Sequence, residues 1–454
     1  MSFPKYDEYK ESGVEWLGDI PRDWNVTRFS RLANHSPNAF TDGDWIESPY
    51  ITDQGVRLIQ TGNVGIGEYR EQGFRYVSES TFDELNCTEV YPGDVLICRL
   101  ASPVGRACLA PDLDSQMITA VDVCILKPND GIHAKYVVYM LSSAEYLGFM
   151  ESQCRGGTRD RVSRSFLGSI QVAIPPLDQQ KLISSFLDAE TSKIDALVAE
   201  QRRLIELLKE KRQAVISHAV TKGLNPNAPM KDSGIEWLGD VPEHWDVVSL
   251  GRLCNDVADG PHFSPKYVDE NAGGVLFLSA RNVKVDRWDF DDVKYVSVED
   301  CDEFDRRVVP EIGDVLYTKG GTTGIARVVD LTMRFQVWVH VAVLKIKKTA
   351  AMPEFVALAL NSTGSYEQSQ LFTRGATNQD LGLTRMVKIR LSLPPIEEQS
   401  TIINYLDIET KRIDKLLTEA EQAIELLQER RTALISAAVT GKIDVREYAA
   451  QVTA

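Results

Sequence analysis

The stretch IPPLDQQ, residues 174–180, returns later in the chain as LPPIEEQ, residues 393–399. Both copies carry two prolines after a short apolar run, and the residue before a proline is pushed away from helical backbone. Neither proline nor glycine occurs in the segments that follow, residues 178–221 and 397–440. Each segment therefore predicts one long uninterrupted helix, because the residues that usually break helices are missing.

Apolar residues recur at heptad spacing along both predicted helices, which is typical of a coiled coil. We place two rows in the seam of the first helix: Leu187, Ile194, Leu208 and Val215, with Ile183, Leu197 and Leu204. The matching rows of the second helix are Leu406, Ile413, Leu427 and Leu434, with Ile402 and Leu416. The pattern predicts that the two helices pair antiparallel, and Gly223 and Gly441 are expected to end them.

A further apolar column flanks this predicted seam: Val198, Ile205 and Ala219 in the first helix, and Leu417, Ile424 and Ala438 in the second. A two-stranded coiled coil buries only a narrow stripe, so the column needs a third surface to cover it. The chain's own globular domains could cover it, or helices of a partner could dock there. Both interpretations stay open; the second assigns partner docking to Val198, Ile205, Leu417 and Ile424.

The duplication extends beyond the helices. KESGVEWLGDIPRDWNV from Lys10 returns as KDSGIEWLGDVPEHWDV from Lys231, and YPGDVLI from Tyr91 returns as EIGDVLY from Glu311. This period is far longer than the 20–50 residues of solenoid repeats, so each copy is a domain-sized unit. Two such units in one chain imply an approximate two-fold axis. Their middle parts diverge, as a shared frame that reads two different things would require.

The predicted fold is α+β: two globular domains with mixed or mainly antiparallel sheets, in a pseudo-two-fold repeat, joined by two long antiparallel coiled-coil helices. A chain of 454 residues is long enough for two to four domains. The predicted segments are a first domain at 1–177, a helix at 178–221, a linker at 222–230, a second domain at 231–396, a helix at 397–440 and a tail at 441–454.

The composition is that of a folded protein, with 43% hydrophobic and 26% charged residues. No apolar run reaches the roughly 18 residues of a membrane span, and the N-terminus lacks the apolar stretch of a secretory signal. We therefore expect a cytoplasmic protein. Seven cysteines without a CxxC pair predict buried reduced thiols, and six scattered histidines predict no metal site.

Motifs of catalysis are missing from the sequence. An adenine methyltransferase is expected to show [ND]PP[YFW], which IPPL and LPPI do not match. The glycines of KGGTTG, residues 319–324, are not followed by the GK[ST] of a phosphate-binding Walker loop. The sequence therefore predicts a protein without catalytic machinery, metal or cofactor of its own.

The EWLGxIPxxW opening, the GDVL strand and the PPLxxQ start of a long helix ending in AVTxG resemble the specificity subunits of type I restriction-modification enzymes. The resemblance covers nearly the whole chain, in duplicate and in order. It implies two target-recognition domains that each read half of a bipartite double-stranded DNA sequence, asymmetric here because the two middles differ. It also implies docking of two adenine methyltransferase subunits, joined by restriction subunits. S-adenosylmethionine, ATP and Mg are expected on those partners.

Candidate DNA contacts lie in two segments where glycines permit close approach and the side chains suit base edges or phosphate. The first segment, RGGTRDRVSRS, offers Arg155, Arg159, Arg161 and Arg164. Its counterpart offers Arg374, Asn378, Gln379, Arg385 and Lys388. A solvated surface loop is the alternative for both. For the aligned pair Arg99 and Lys319, a place in a strand turn and a phosphate contact both stay open. The aromatic residues of the variable stretches are expected mostly in the core: Trp45, Tyr50, Trp288 and Tyr295.

The net charge of −16 opposes binding to phosphate, so basic residues must gather on one face or basic partners must supply the attraction. Two other functions stay open. Methyl transfer by the purified chain alone would indicate a self-contained modification enzyme. Salt-dependent, sequence-selective binding to duplex DNA would argue against a structural adaptor or an acidic DNA mimic.

Overall fold

The computed structural model describes residues 3–154, 160–374 and 380–448, and the chain divides into two compact units. Unit 1 comprises residues 1–201 and 422–454, and unit 2 comprises residues 202–421. The division falls within two long helices. Each unit therefore contains the start of one long helix and the end of the other.

Unit 1 contains short strands that precede its long helix. The strands are β1 Tyr9–Glu11, β2 Asp19–Pro21, β3 Asn25–Arg28, β4 Phe40–Asp42, β5 Ile51–Thr52, β6 Val56–Ile59, β7 Tyr76–Val77, β8 Val95–Cys98, β9 Ala107–Leu109, β10 Met117–Thr119, β11 Val123–Leu126 and β12 Gln171–Ile174. The helices are α1 Glu79–Glu84, α2 Ala134–Met140, α3 Ala144–Gln153, α4 Arg164–Ser169 and the long α5 Leu177–Lys222.

Unit 2 repeats this order. Its strands are β13 Met230–Asp232, β14 Asp240–Pro242, β15 Asp246–Ser249, β16 Cys254–Asp259, β17 Tyr267–Val268, β18 Val275–Leu278, β19 Lys294–Val296, β20 Val315–Thr318, β21 Ala326–Val328, β22 Phe335–Val337, β23 Val341–Ile346 and β24 Arg390–Leu393. Its helices are α6 Leu250–Leu253, α7 Val298–Asp305, α8 Pro353–Leu360, α9 Thr363–Phe372, α10 Leu383–Met386 and the long α11 Ile396–Val439.

The two units have the same sheet topology. Unit 1 has four-stranded sheets in the orders β10-β6-β7-β5 and β4-β11-β8-β9, and unit 2 has β22-β18-β19-β17 and β16-β23-β20-β21. One pair in each unit is parallel, β6 with β10 and β18 with β22, and the other ladders of these sheets are antiparallel. The predicted α+β fold with mixed sheets in a repeated arrangement is confirmed.

The repeated sequence motifs meet at one junction in unit 1. The buried indole of Trp24 donates a hydrogen bond from Nε1 to Oε1 of Gln179, 3.1 Å away at the start of α5. Gly441, just after α11, has φ +73°, and a Cβ there would lie 2.3 Å from the ring of Pro21. Glycine is therefore needed both for the left-handed turn and for the close approach.

Unit 2 builds the same junction from the other helix ends. The indole of Trp245 donates to Glu398 at the start of α11 (3.1 Å), and Gly223 with φ +75° follows α5 beside the Trp245 ring. In each unit the EWLG opening, the start of one long helix and the AVT end of the other, with the glycine that follows it, thus pack together. This explains why these motifs recur together in the sequence.

The glutamine of the PPxxxQ motif ties the start of each long helix to the residue before α2 or α8. In unit 1 the Gln180 amide donates to the carbonyl of Pro175 (2.9 Å) and accepts from the His133 backbone N–H (2.8 Å). In unit 2 Gln399 makes the same bonds to Pro394 and to the Met352 N–H, both at 2.8 Å. Both glutamines are buried, so these bonds satisfy groups that would otherwise be costly to bury.

The long helices pair antiparallel within each unit. In unit 1 the Arg431 guanidinium lies 3.0 Å from the Asp195 carboxylate, and in unit 2 Arg212 lies 3.0 Å from Asp414. The two pairs have the same sum of residue numbers, as an antiparallel pairing without a register slip requires. They are also equivalent under the internal repeat, because Arg212 aligns with Arg431 and Asp195 with Asp414.

The predicted assignment of the apolar rows is partly wrong. Val198 and Ile205, which we placed beside the seam, are each only 8% exposed. Leu197 and Leu204, which we placed in it, are 45% and 42% exposed, and Leu416 in α11 is exposed as well. Adjacent apolar residues offer two possible phases of the heptad. Packing selects the phase that joins Val198 and Ile205 to the buried residues Leu187, Ile194 and Leu208.

This phase predicts different costs for neighbouring substitutions. Ile205→Ala removes a buried side chain and should lower the free energy of unfolding by about 2–5 kcal/mol. Leu204→Ala, at the next residue, should change it by about 0.5 kcal/mol or less, since that side chain is exposed. Urea denaturation of the full chain followed by circular dichroism measures both. A larger loss for Leu204→Ala than for Ile205→Ala would contradict the observed phase.

Candidate nucleic-acid interface

The first candidate segment is held against the end of strand β8. The backbone N–H of Val162 donates to the carbonyl of Arg99 (3.1 Å), and the N–H of Ala101 donates to the carbonyl of Asp160 (3.0 Å). Residues 155–159 lie outside the described part of the chain, so the predicted contacts Arg155 and Arg159 stay predictions. The described stem, from Asp160 onward, leads into α4 at Arg164.

Arg99 is buried beneath this stem. Its guanidinium Nε lies 2.9 Å from the Asp42 carboxylate, and its two terminal nitrogens donate to the carbonyls of Val162 (2.9 Å) and Val121 (2.8 Å). Its side chain is 4% exposed. A phosphate cannot reach this guanidinium without breaking these bonds. The geometry therefore gives Arg99 the role of holding the stem in place, and does not favour the phosphate contact that the sequence left open.

Arg161 and Arg164 extend from the same cluster towards solvent. Arg161 lies 2.8 Å from the carboxylate of Asp122, and Arg164 lies 3.8 Å from Asp42 while donating to the carbonyl of Phe40 (3.1 Å). Their side chains are 52% and 42% exposed. Exposed ion pairs of this kind contribute little to stability and exchange partners at low cost. Both guanidiniums are thus placed to meet an external anion.

The second candidate segment is held in the same way in unit 2. Lys319 is buried, and its Nζ lies 3.3 Å from the Asp259 carboxylate and 3.0 Å from that of Asp380. The Leu381 N–H donates to the Lys319 carbonyl at 2.7 Å, and Arg374 and Asp380 exchange backbone hydrogen bonds across the stem. A direct phosphate contact by Lys319 is therefore not favoured either, for the same reason as at Arg99.

The remaining candidates of this segment have different environments. Arg385 is tied to the stem, with Nε donating to the Phe372 carbonyl (2.7 Å) and a terminal nitrogen donating to the Asp380 carbonyl (2.8 Å). Arg374 and Lys388 are exposed. The other two candidates, Asn378 and Gln379, lie outside the described residues, and their predicted roles stay predictions.

The two clusters share one ion pair and exchange the charges of the other. Asp42 with Arg99 corresponds to Asp259 with Lys319. In each unit the acid ends one strand, β4 or β16, and the cation follows another, β8 or β20, with a single strand between them. The second carboxylate changes sides. In unit 1 it is Asp122 of the sheet, paired with Arg161 of the stem.

In unit 2 the second carboxylate is Asp380 of the stem, and His340 stands at the place of Asp122. Partial burial, aided by the Lys319 ammonium, lowers the pKa of His340 below its usual value. The ring is therefore neutral at neutral pH, and Asp380 supplies the negative charge that His340 does not. The four acids were missed from the sequence, because Asp42 and Asp259 lie where the two copies diverge and the second acid changes sides between the repeats.

The aromatic residues do not all lie in the core. Trp45, three residues after Asp42, is 72% exposed, and Tyr50 is 39% exposed, so core packing was the wrong expectation for Trp45. Trp288 instead packs under Arg327, whose guanidinium lies 4.7 Å from the ring centre. Tyr295 is partly buried in β19. Sequence could not separate these cases, because all four residues occur in similar strand-like stretches.

The described residues offer little for catalysis. Burial raises the pKa of Cys108 and of Cys254 to about 12, so these thiols stay protonated at neutral pH. Asp94 and Asp314 of the GDVL motifs accept backbone N–H bonds within their turns, as turn residues do. Within residues 3–154, 160–374 and 380–448 there is no group of three potential metal ligands and no helix apolar and long enough to cross a membrane.

Two similar mixed-sheet units that share a pair of long helices, each with a basic segment clamped to its sheet, define a duplicated recognition scaffold. The sequence profile described as type I restriction modification DNA specificity domain matches residues 45–207 and again residues 242–426. The chain belongs to this family. Its members are the specificity subunits of type I restriction-modification systems, which recognise the DNA target and leave catalysis to other subunits.

Curated relatives match this chain over most of their length and are named as specificity subunits. The chain is 23% identical to the type I restriction enzyme MjaVIII specificity subunit of Methanocaldococcus jannaschii, over 98% of both chains. It is 20% identical to the EcoKI specificity subunit of Escherichia coli, over 87% of this chain and 84% of that one.

Solved structures share the fold. A chain from a study of complex assembly and conformational transition in the type I restriction-modification system has a TM-score of 0.66 and 17% identity, over 92% of this chain and 98% of that one. The HsdS subunit of Thermoanaerobacter tengcongensis has a TM-score of 0.51 and 16% identity, over 93% and 98%.

Proposed function

We propose that this specificity subunit reads a bipartite, asymmetric sequence in double-stranded DNA, with one half read by each unit. The observation that carries the proposal is the duplicated clamp: a buried cation, Arg99 or Lys319, holds the stem of a basic segment in each unit. The frame is the same in both, whereas the segments and the second ion pair differ. Two equal frames that present unequal side chains would select two different half-sites.

The exposed cations of each segment would make the contacts. Arginine can bind guanine O6 and N7 in two places at once, and both arginine and lysine bind phosphate. Arg161 and Arg164 serve unit 1, and Arg374 and Lys388 serve unit 2. Arg99 and Lys319 act beneath them as positioning residues. Because the chain carries a net charge of −16, basic partner subunits would add to the attraction for the DNA backbone.

Substitution of the second acid of each cluster, Asp122 or Asp380, tests whether each unit reads one half-site. Asp122→Asn releases Arg161 without removing any cation, so it should weaken discrimination at one half-site by about 1–3 kcal/mol and leave the other unchanged. Asp380→Asn is the matched variant in unit 2 and should affect the other half alone. Selection of bound duplexes from a randomised library by the assembled complex measures both halves. Thermal melting verifies the folding of both variants, since Asp122 lies 3.9 Å from buried Arg99 and Asp380 neutralises buried Lys319.

A single contiguous target for the unaltered protein, or equal loss at both half-sites in either variant, would contradict the proposal.

The same subunit would also dock two adenine methyltransferase subunits. Leu197 and Leu426 are exposed on the long helices of unit 1, and Leu207 and Leu416 are exposed on those of unit 2. We name them leucine patch 1 and leucine patch 2. In the register set by the Arg–Asp pairs, the two leucines of each patch lie about one helical turn apart along the helix pair.

The internal repeat exchanges the two patches, since Leu197 aligns with Leu416 and Leu207 with Leu426. Leucines exposed on paired helices indicate an interaction surface. Two equivalent patches would accept two copies of one partner. The proposed docking face therefore consists of these exposed leucines and does not include Val198 and Ile205, which are buried within the chain. The partly buried Leu417 and Ile424 stay predicted contacts at its edge.

The chemistry would belong to these partners. The methyltransferase subunits would bring S-adenosylmethionine, and restriction subunits joining the assembly would bring ATP and Mg for cleavage. The specificity subunit would select the site and orient the others, acting in the cytoplasm where its DNA lies. It would need no cofactor of its own for this role.

Charged substitutions in one patch should remove one partner. Leu197→Glu with Leu426→Glu should leave a complex with one methyltransferase copy, because burying an unpaired carboxylate opposes docking. Leu207→Glu with Leu416→Glu should do the same, and the quadruple variant should bind none. Mass photometry counts the copies, and circular dichroism verifies the helices. Retention of two copies by the quadruple variant would exclude the patches.

A further inference from the structure

A hollow of about 390 Å³ lies beside the described stem of unit 1, and Arg164 is the one proposed DNA contact among its lining residues. It is lined by two arginines, three serines, a glycine and a phenylalanine: Arg28, Arg164, Ser30, Ser165, Ser169, Gly168 and Phe40. No carboxylate is among these lining residues. In a chain with a net charge of −16, such a lining is a local reversal of the prevailing charge.

The two arginines retain hydrogen-bonding capacity. Arg28, at the end of β3, is exposed and has no carboxylate within 4 Å among the described residues. Arg164 donates to the Phe40 carbonyl and lies 3.8 Å from Asp42, so one guanidinium nitrogen is without a protein partner in the described part of the chain. Planar guanidinium groups of this kind suit the tetrahedral oxygens of a phosphate.

Close packing brings the serines to the same place. Gly168 of α4 packs against the turn Phe29–Leu32, and a Cβ on Gly168 would lie 2.8 Å from the ring of Phe40 and 3.2 Å from Cβ of Ser30. Glycine is therefore needed for the approach of α4 to this turn. The approach brings Ser30 and Ser165 into the lining of the same hollow as the two arginines.

Unit 2 lacks this arrangement. Ser249 stands where Arg28 stands, because β15 pairs with β24 as β3 pairs with β12. Leu383 opens α10 where Arg164 opens α4. The glycine at this contact belongs to the turn in unit 2 and not to the helix: Gly251 takes the place of Ser30, and a Cβ on Gly251 would lie 3.0 Å from Cβ of Val387, which takes the place of Gly168. The hollow with two guanidiniums is thus a property of the first unit and not of the shared frame.

We propose that this hollow is a seat for one backbone phosphate of the DNA duplex, on the half-site read by unit 1. The proposal rests on the proposed DNA-reading function and adds to it an asymmetry in how the two halves are held. A phosphate contact carries no base information, so the seat fixes the register of unit 1 on its half-site. The segment around Arg161 then reads base edges from that fixed position.

The test replaces Arg28 with the residue that unit 2 carries at the same place. Binding of the full chain, assembled with its methyltransferase subunits, is measured on a target duplex at a series of salt concentrations. One lost phosphate contact should reduce the slope of log affinity against log salt by about 0.9. When salt is raised from 50 to 200 mM, the fold-loss of affinity of Arg28→Ser should therefore be about 3.5 times smaller than that of the unaltered protein.

Two controls separate the seat from general charge. Arg22→Ser removes an equally positive side chain that is exposed and paired with Glu8, outside the hollow, and should leave the slope unchanged. A set of duplexes with single neutral methylphosphonates should contain one position that weakens the unaltered protein severalfold but leaves Arg28→Ser unaffected. Sequence preference should be the same in all three proteins, because no base contact is removed.

The outcomes are distinct. An unchanged slope for Arg28→Ser, or equal sensitivity of both proteins to every methylphosphonate, would overturn the phosphate seat while leaving the reading of two half-sites intact. Titration with inorganic phosphate against chloride forms the second arm. If Arg28→Ser abolished binding of the free anion but had no effect on DNA, the seat would serve a free anion and the proposal would be wrong. Failure of the unaltered complex to select any sequence would instead contradict the proposed function itself.

Discussion

The structure depends on one constraint: the core of each unit closes only with the start of one long helix and the end of the other. In unit 1, Phe186 and Leu187 of α5 share a core with Ile435 and Val439 of α11. In unit 2, Ile402 and Leu406 of α11 share a core with Ile216 and Val220 of α5. The helices must then run antiparallel, since a parallel pair would bring two starts together. Burying these large apolar side chains is the main driving force that fixes the arrangement.

The reading segments vary against this fixed frame. In both units a buried cation beside an acid of the sheet anchors the described stem, so the sheet contributes to fixing the position of the stem. Buried ion pairs add little net stability, but removing one partner leaves a costly unpaired charge. The second ion pair, whose charges are exchanged between sheet and stem, can change as the segment changes. Such a clamp lets the two segments differ from each other without loss of the fold.

Much of the fold could be predicted from the sequence because the sequence contains an internal duplication. The long helices were predicted at 178–221 and 397–440 and are found at Leu177–Lys222 and Ile396–Val439, since prolines and glycines mark their ends. The phase of their seam could not be predicted. Leu197 and Val198 are both apolar and adjacent, and only packing decides which of them is buried.

The candidate site was predictable in part. The sequence indicated the two basic segments as candidate DNA contacts, but not that Arg99 and Lys319 hold their described stems. The burial of Arg99 and Lys319 was not predictable, because their partners Asp42 and Asp259 lie about 60 residues earlier, in the stretches where the two copies diverge. Comparing the two copies identifies residues that they share, but not residues that differ between them. Asp122 and Asp380 differ in this way, because the second acid lies in the sheet in unit 1 and in the stem in unit 2.

We propose that the paired helices set the distance between the two half-sites. The most direct test is the insertion of seven residues, one heptad, in α5 and in α11 at positions that face each other in the antiparallel pair, which preserves the seam and lengthens each helix by about 10 Å. Because duplex DNA rises about 3.4 Å per base pair, mapping of methylated adenines in cells with the complete system should show both half-sites unchanged and about three more base pairs between them. An unchanged spacing, with both half-sites still recognised, would contradict the account.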